Sequence, residues 1–410
     1  MNFPIINAKL IVLSISLIIL NLLSNAQITG EVNLNEKSDD VVTGAERTEV
    51  YFPVLKNKKI AIVANHTSII KKVHLVDTLL RAGFYIDRIF CPEHGLRGEA
   101  EAGENINNYT DSKTHLPVIS LYGSKKKPNQ QDFKGIDIVV FDIQDVGVRF
   151  YTYISTLSLI MEACAENNIP LIILDRPNPN GYYVDGPILD KKFTSFIGMH
   201  PVPIVYGMTV AEYACMINDE GWLKNNMKCK LQYVPLLNYD HKTLYQLPIS
   251  PSPNLPNMSA IYLYPSLCLF EGTIISVARG TDFPFQAFGH PELKDAPFSF
   301  TPRSIPGVCA NPIYLNKECK GYDLRSFGKN YFYNHRQIYL FWLIECYKAL
   351  GSKDSFFNKD LFDKLAGNSS LREMIMQGKT EDEIRATWQN DLNEFMKIRK
   401  KYLLYPDFDN

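Results

Sequence analysis

The chain has 410 residues, eight cysteines and a formal net charge of −1. Acidic and basic residues nearly cancel, and the basic ones are scattered apart from Lys125-Lys126-Lys127, so no nucleic-acid footprint is present. The length exceeds what a single core usually fills, which predicts two domains.

Residues 10–23 are almost wholly apolar, follow Lys9 and precede the small residues Ser24-Asn25-Ala26. This is the pattern of a secretory signal peptide over residues 1–26. The alternative is a retained anchor, since roughly 20 apolar residues span a bilayer. No cysteine lies near the junction, which argues against a lipoprotein, and no later run is long and apolar enough to span. The expected location is periplasmic or secreted, with no stable membrane insertion after signal cleavage. Residues 27–49 are polar and aperiodic and read as a flexible leader.

Strands and helices then alternate. Residues 59–65 (KIAIVAN) are a buried-strand run, 74–82 a helix and 86–91 a second strand. Strands at 117–121 and 138–142 (IVVFD) precede an amphipathic helix at 152–168 and a strand at 170–175 (PLIILD). This predicts an α/β fold whose first domain, residues 50–205, is a parallel sheet covered on both faces. Gly and Pro then punctuate the chain, and residues 206–410 read as a smaller C-terminal α/β domain. Its expected elements are a helix at 209–218, strands at 230–234 and 273–277, a helix at 264–270 and long charged helices from about residue 337. Cys164, Cys215, Cys268 and Cys346 fall in apolar patterns and read as buried thiols, leaving Cys309 and Cys319 as the one candidate disulfide.

Open parallel sheets bind ligands beyond the carboxyl ends of their strands. Three such ends are dense in polar residues. The first runs through PEHGLRGEAEAGE, with Glu93, His94, Arg97, Glu99, Glu101 and Glu104. The second, IQDVGVRFYTY, follows Asp142 and carries Asp145, Arg149, Tyr151 and Tyr153. The third, RPNPNG, follows Asp175 and carries Arg176, Asn178 and Asn180. Asn65 and His66 leave the first strand at the same end, and the second half offers Asn254, Asn257, Arg279 and Gln286. Loop ion pairs for Arg97, and turn capping by Asp142 and Asp175, are the competing structural explanations. A metal site would use His66, His94, Asp142 and Asp145, but no ligand-like spacing supports it; no GxGxxG, GxxxxGK[ST] or GxSxG occurs either, so no cofactor is expected. Carboxylates among amides and aromatics suit a sugar, and glycoside hydrolysis needs one carboxyl as acid and another as base or nucleophile.

The segments PEHGLRGEAEAGE, FDIQDVGVRFYTY, LDRPNPNG, SPSPNLPN, YPSLCLFEGT and RGTDFPFQAFG resemble, in order, those of the exo-β-N-acetylmuramidases, peptidoglycan-recycling glycoside hydrolases. The resemblance implies a Rossmann-like domain, a smaller C-terminal domain and a site between them. It also implies release of N-acetylmuramic acid from non-reducing ends, with peptidoglycan disaccharides and glycan-chain ends as partners. Glu93 is then the expected acid/base, with Glu99 or Asp142 assisting and His94 orienting the pair. Asn65, His66, Arg97, Asp145, Tyr151, Asp175, Asn178, Asn254 and Asn257 are expected to line the substrate. The lactyl carboxylate of muramic acid calls for a cation: Arg279 first, with Arg149 and Arg176 in reserve. Ala278 stands where the family pattern favours glycine. Two other readings stay open, a non-catalytic envelope protein binding peptidoglycan fragments and a metal-dependent amidase or deacetylase on the same polymer.

Overall fold

The computed structural model describes residues 40–408 apart from 94, 99–106 and 328. The signal-like segment, the first part of the leader, and His94, Glu99, Glu101 and Glu104 lie outside the described residues. The strands are β1 Lys59–Ala64, β2 Ile69–Ile70, β3 Val73–His74, β4 Tyr85–Cys91, β5 Tyr109–Thr110, β6 Pro117–Ser120, β7 Ile138–Asp142, β8 Leu171–Leu174, β9 Leu231–Val234, β10 Ala287–His290, β11 Phe298–Phe300 and β12 Cys319–Asp323. Five helices matter most for the site: α1 Thr48–Leu55, α2 Leu75–Arg81, α3 Tyr153–Glu166, α4 Val210–Asp219 and α5 Met258–Leu267.

The main sheet has the order β5-β6-β4-β1-β7-β8-β9 and is parallel except for the edge strand β5. Because successive side chains point to opposite faces, Ile60, Ile62 and Ala64 of β1 pack with Tyr51 and Leu55 of α1 and Leu75, Val76 and Leu79 of α2. Ala61 and Val63 face the other way, onto Ile154, Leu157 and Met161 of α3. Strands buried on both faces explain the continuous apolar runs in the sequence. The second core also takes in Ile261, Leu263, Phe270, Leu343, Phe362 and Phe395, so the C-terminal half shares it. A small antiparallel sheet, β10-β12-β11, follows.

Several expectations are corrected. The strand placed by sequence in the second domain is β9, the seventh strand of the main sheet, paired in parallel with β8; the Gly/Pro-rich stretch before it is largely buried, with Ile204, Val205 and Tyr206 in the shared core. Residues 41–49 are not a leader: Val42 bridges Leu237, Gly44 donates to the Asp175 carbonyl, and Thr43 and Glu46 form a capping box. Residues 273–277 make only isolated bridges, Thr273 to Phe357 and Ser276 to Gly289. The C-terminal helices are short, the longest being Gln389–Lys400, and turns with positive φ at Gly351, Gly367 and Gly378 separate them. Cys319 is a free buried thiol, pushed up to about 12 by burial, so the Cys309–Cys319 bridge does not form.

Candidate active site

β4 and β7 lie on opposite sides of β1, so the connections leaving their carboxyl ends diverge there. This switch point is where an open sheet forms a crevice. The crevice narrows to a recess of about 90 Å³ lined by Glu93 from the β4 loop, Phe150, Tyr151, Thr152 and Tyr153 from the β7 loop, and Ser252, Asn254, Leu255, Tyr264, Arg279 and Phe285 from the second half. A larger concavity of about 850 Å³ opens around Phe52, Lys58, Gly83 and Tyr85 at the amino ends of β1 and β4. Its one lining carboxylate, Glu49, is solvent-exposed beside Arg47. The chemistry gathers in the smaller recess.

Its walls are held by backbone carbonyls. Tyr151 Oη donates to Pro251 O at 2.9 Å, and the Ser250 carbonyl lies 2.9 Å from His66 Nε2, so the ends of β1 and β7 both grip the 250–255 loop. The Tyr151 and Tyr153 rings meet edge to face at 4.8 Å. Burial pushes both phenols up, and Glu93 beside Tyr153 adds to the effect there, so both remain protonated donors at neutral pH. Asn254 Nδ2 donates to Val308 O, while its buried Oδ1 meets no partner among the described residues. A buried acceptor without a donor is costly unless a ligand supplies one.

Arg279 is aimed by two contacts. Its Nε donates to Glu271 Oε1 at 2.6 Å, its guanidinium stacks 5.0 Å over the Phe285 ring, and both side chains face the recess. The backbone around it is strained, with Ala278 at φ 59 and Phe285 at φ 55. A bulky residue in the left-handed region persists only where the surroundings over-determine it, and such strain gathers at functional sites. The Phe285 amide is held by the Val277 carbonyl at 2.8 Å. The left-handed φ of Ala278 explains why glycine suits that position.

The other predicted residues are drawn into the frame. Asp142, at 0% exposure, is held by Arg176 in a two-pronged pair at 2.6 and 2.9 Å, and Arg176 also donates to Ile69 O. Neither is among the residues lining the recess, and the pair clamps the ends of β7 and β8. Arg149, also fully buried, donates to the carbonyls of Pro187, Val202, Leu365 and Ala366 and so ties the β7 loop to the C-terminal helices. Asp175 accepts from Arg176 N, Ala211 N, Thr209 Oγ1 and Tyr405 Oη, a saturated structural carboxylate. Asn178 braces the turn at Gly147, where a Cβ would come within 2.0 Å of its side-chain amide. Asn257 caps α5 through Ala260 N and donates to Gln286. Asn65 is fully buried, accepting from Thr67 N and Oγ1. Arg97 pairs with Asp111 and Asp77 in a neighbouring recess, where His66 also lies. The bonds from Arg97 and Thr114 outweigh burial at Asp111 and hold it at about 2.

Asp145 is likewise interior. Its Oδ2 accepts from Gly147 N and Tyr206 Oη, and its buried Oδ1 has no partner among the described residues. Burial outweighs these donors and pushes its pKa up to about 7. A carboxyl raised above its unfolded value binds protons more tightly when folded, so it favours the fold below about pH 4, and this contribution is lost as pH rises through 7. Asp145→Asn should therefore flatten the decline of Tm between pH 5 and 8, read by calorimetry across that range. An unchanged slope would show that Asp145 is ionised throughout.

Sequence reasoning missed Glu271, although it stands eight residues before Arg279 inside a quoted motif, and the aromatic lining Phe150, Tyr264 and Phe285, which read as ordinary core. Residues 60–259 match the model of the exo-beta-N-acetylmuramidase NamZ N-terminal domain, and residues 262–405 that of its C-terminal domain. The chain belongs to this family. It is 37% identical to the peptidoglycan beta-N-acetylmuramidase NamZ of Bacillus subtilis over 392 residues, covering 91% of this chain and 93% of that protein. Two crystal structures of DUF1343 family proteins from Bacteroides fragilis are similar. One is 50% identical with a TM-score of 0.83, covering 90% of this chain and 99% of that one. The other is 28% identical with a TM-score of 0.76, covering 89% and 99%.

Proposed function

We propose that this protein is an exo-acting glycoside hydrolase that releases N-acetylmuramic acid from the non-reducing ends of peptidoglycan fragments. The observation that carries the reading is a single recess holding a carboxylate, Glu93, opposite an oriented cation, Arg279. Muramic acid bears a lactyl carboxylate that glucosamine lacks, and a guanidinium meets a carboxylate with two parallel hydrogen bonds. Glu271 takes the Nε of Arg279, and neither Nη has an acceptor among the described residues. Glu93 then serves the glycosidic oxygen as acid/base, Tyr151 and Tyr153 supply phenol donors, and Asn254 Oδ1 accepts from a sugar N–H or O–H. Exclusion of water by the aromatic walls strengthens each of these polar contacts.

Incubation of the purified protein with a MurNAc–GlcNAc disaccharide, followed by mass analysis, should yield free N-acetylmuramic acid. An intact disaccharide with retained binding would favour the non-catalytic reading. For Arg279, product inhibition is the more selective measure. N-acetylmuramic acid should inhibit the wild type more strongly than N-acetylglucosamine, and Arg279→Lys should erase about 10- to 100-fold of that preference, the worth of a hydrogen-bonded charge. An unchanged ratio would remove Arg279 from carboxylate recognition.

The address belongs to the same proposal. With residues 1–26 cleaved, the mature chain begins at Gln27 in the periplasm or outside the cell, where wall fragments are accessible. N-terminal sequencing of the exported protein reads the cut directly.

A further inference from the structure

A second recess of about 370 Å³ opens beside the first. Two short segments wall it off. In the β4 loop Glu93 lines the catalytic recess, while Arg97, four residues on, lines the second. In the other segment Ser252 faces the catalytic recess and Ile249 the second. Three residues reach at most about 10 Å, so one ligand can occupy both recesses. Between them stands His66, held at the Ser250 carbonyl, with Gly98 packed so closely that a Cβ there would lie 2.9 Å from the imidazole Cγ.

The second recess is basic. Arg97 and Lys113 are matched by Asp77 and Asp111, which fix them in place. Lys72 and Arg81 line the same recess, are exposed, and have no carboxylate partner among the described residues. Burial pulls the pKa of His74 down to about 4, so that imidazole is neutral and adds no charge. The recess thus presents two unmatched cations, Lys72 in the turn between β2 and β3 and Arg81 at the last residue of α2.

We propose that this recess is a subsite for a carboxylate carried by the substrate away from the scissile bond, with Lys72 and Arg81 as its specificity residues. The inference rests on the proposed muramidase reading, in which the lactyl group of the cleaved sugar is taken by Arg279. Two sources share the chemistry: the lactyl carboxylate of a more distant muramic acid and the carboxylates of a stem peptide borne by that sugar. Exposed cations act through attraction that salt screens, so the effect falls on substrate capture more than on turnover.

The test uses a Lys72→Ala/Arg81→Ala double variant, whose changes are both at the surface, and three fragments: the peptide-free disaccharide, a peptide-free tetrasaccharide and a tetrasaccharide bearing a stem peptide on its inner muramic acid only. The variant should match the wild type on the peptide-free disaccharide. It should lose about 5- to 20-fold in kcat/KM, through KM, on at least one longer fragment, and the wild-type advantage there should shrink in high salt. Loss on the peptide-free tetrasaccharide alone assigns the carboxylate to the next muramic acid, loss on the peptide-bearing tetrasaccharide alone assigns it to the stem peptide, and loss on both shows that the recess takes either. Equal kinetics of the two proteins on all three fragments would overturn the subsite. Calorimetric binding of the same fragments keeps the two ideas separate: charge-dependent binding without turnover leaves the subsite standing and removes the muramidase reading, whereas turnover with charge-independent binding does the reverse.

Discussion

Glu93→Gln should lower kcat on a MurNAc–GlcNAc disaccharide by about 10²- to 10⁴-fold, the usual contribution of a positioned general acid/base. The substitution keeps the shape and one acceptor oxygen of the side chain and removes only its proton exchange. Glu93 is half-buried at the mouth of the recess rather than within the core, so stability should change by no more than about 0.5 kcal/mol. Measured together, kcat and Tm separate a chemical role from a structural one. An active variant would place the chemistry on another carboxyl.

Asp142→Asn should behave in the opposite way. The carboxylate and Arg176 are both buried, and their contacts at 2.6 and 2.9 Å engage Nε and Nη2 of the guanidinium. Removing one charge of a buried pair leaves the other uncompensated, at a cost of about 3–5 kcal/mol, or roughly 4–6 °C in Tm for a folded body of this size. Well below its midpoint the variant should keep kcat within about tenfold of wild type, since neither partner faces the recess. Thermal scans and low-temperature kinetics check the two halves of this expectation. A catalytic collapse with an unchanged Tm would reverse the roles argued for Asp142 and Glu93.

The contrast between these two carboxylates marks how far the sequence could be read. Both follow a buried parallel strand, β4 or β7, and the alternation of strands with helices located both ends correctly. What decides between chemistry and framework is the partner. Arg176 arrives from the end of β8, and nothing in the spacing of residues 142 and 176 reveals that their side chains meet. Arg149 illustrates the same limit. Its four carbonyl acceptors come from segments up to 217 residues away in the chain, and such contacts exist only once the C-terminal half has packed. Asn254 and Tyr151 stand in irregular polar segments, Arg279 is the cation that the lactyl carboxylate calls for, and the fold brings all three to the Glu93 recess. The aromatic lining escaped notice for the converse reason, since Phe150, Tyr264 and Phe285 are types that a core also demands. The sheet to which residues 230–234 belong is not legible either, because Gly and Pro report where the chain turns, not which sheet it rejoins. β9 rejoined the first.

Exo-action on muramic acid is tested most directly with two glycan tetrasaccharides of equal length, one ending at its non-reducing terminus in N-acetylmuramic acid and the other in N-acetylglucosamine, with products followed over time by mass analysis. The account predicts free N-acetylmuramic acid and a trisaccharide from the first and no cleavage of the second. Disaccharide products from either, or equal turnover of both, would contradict it.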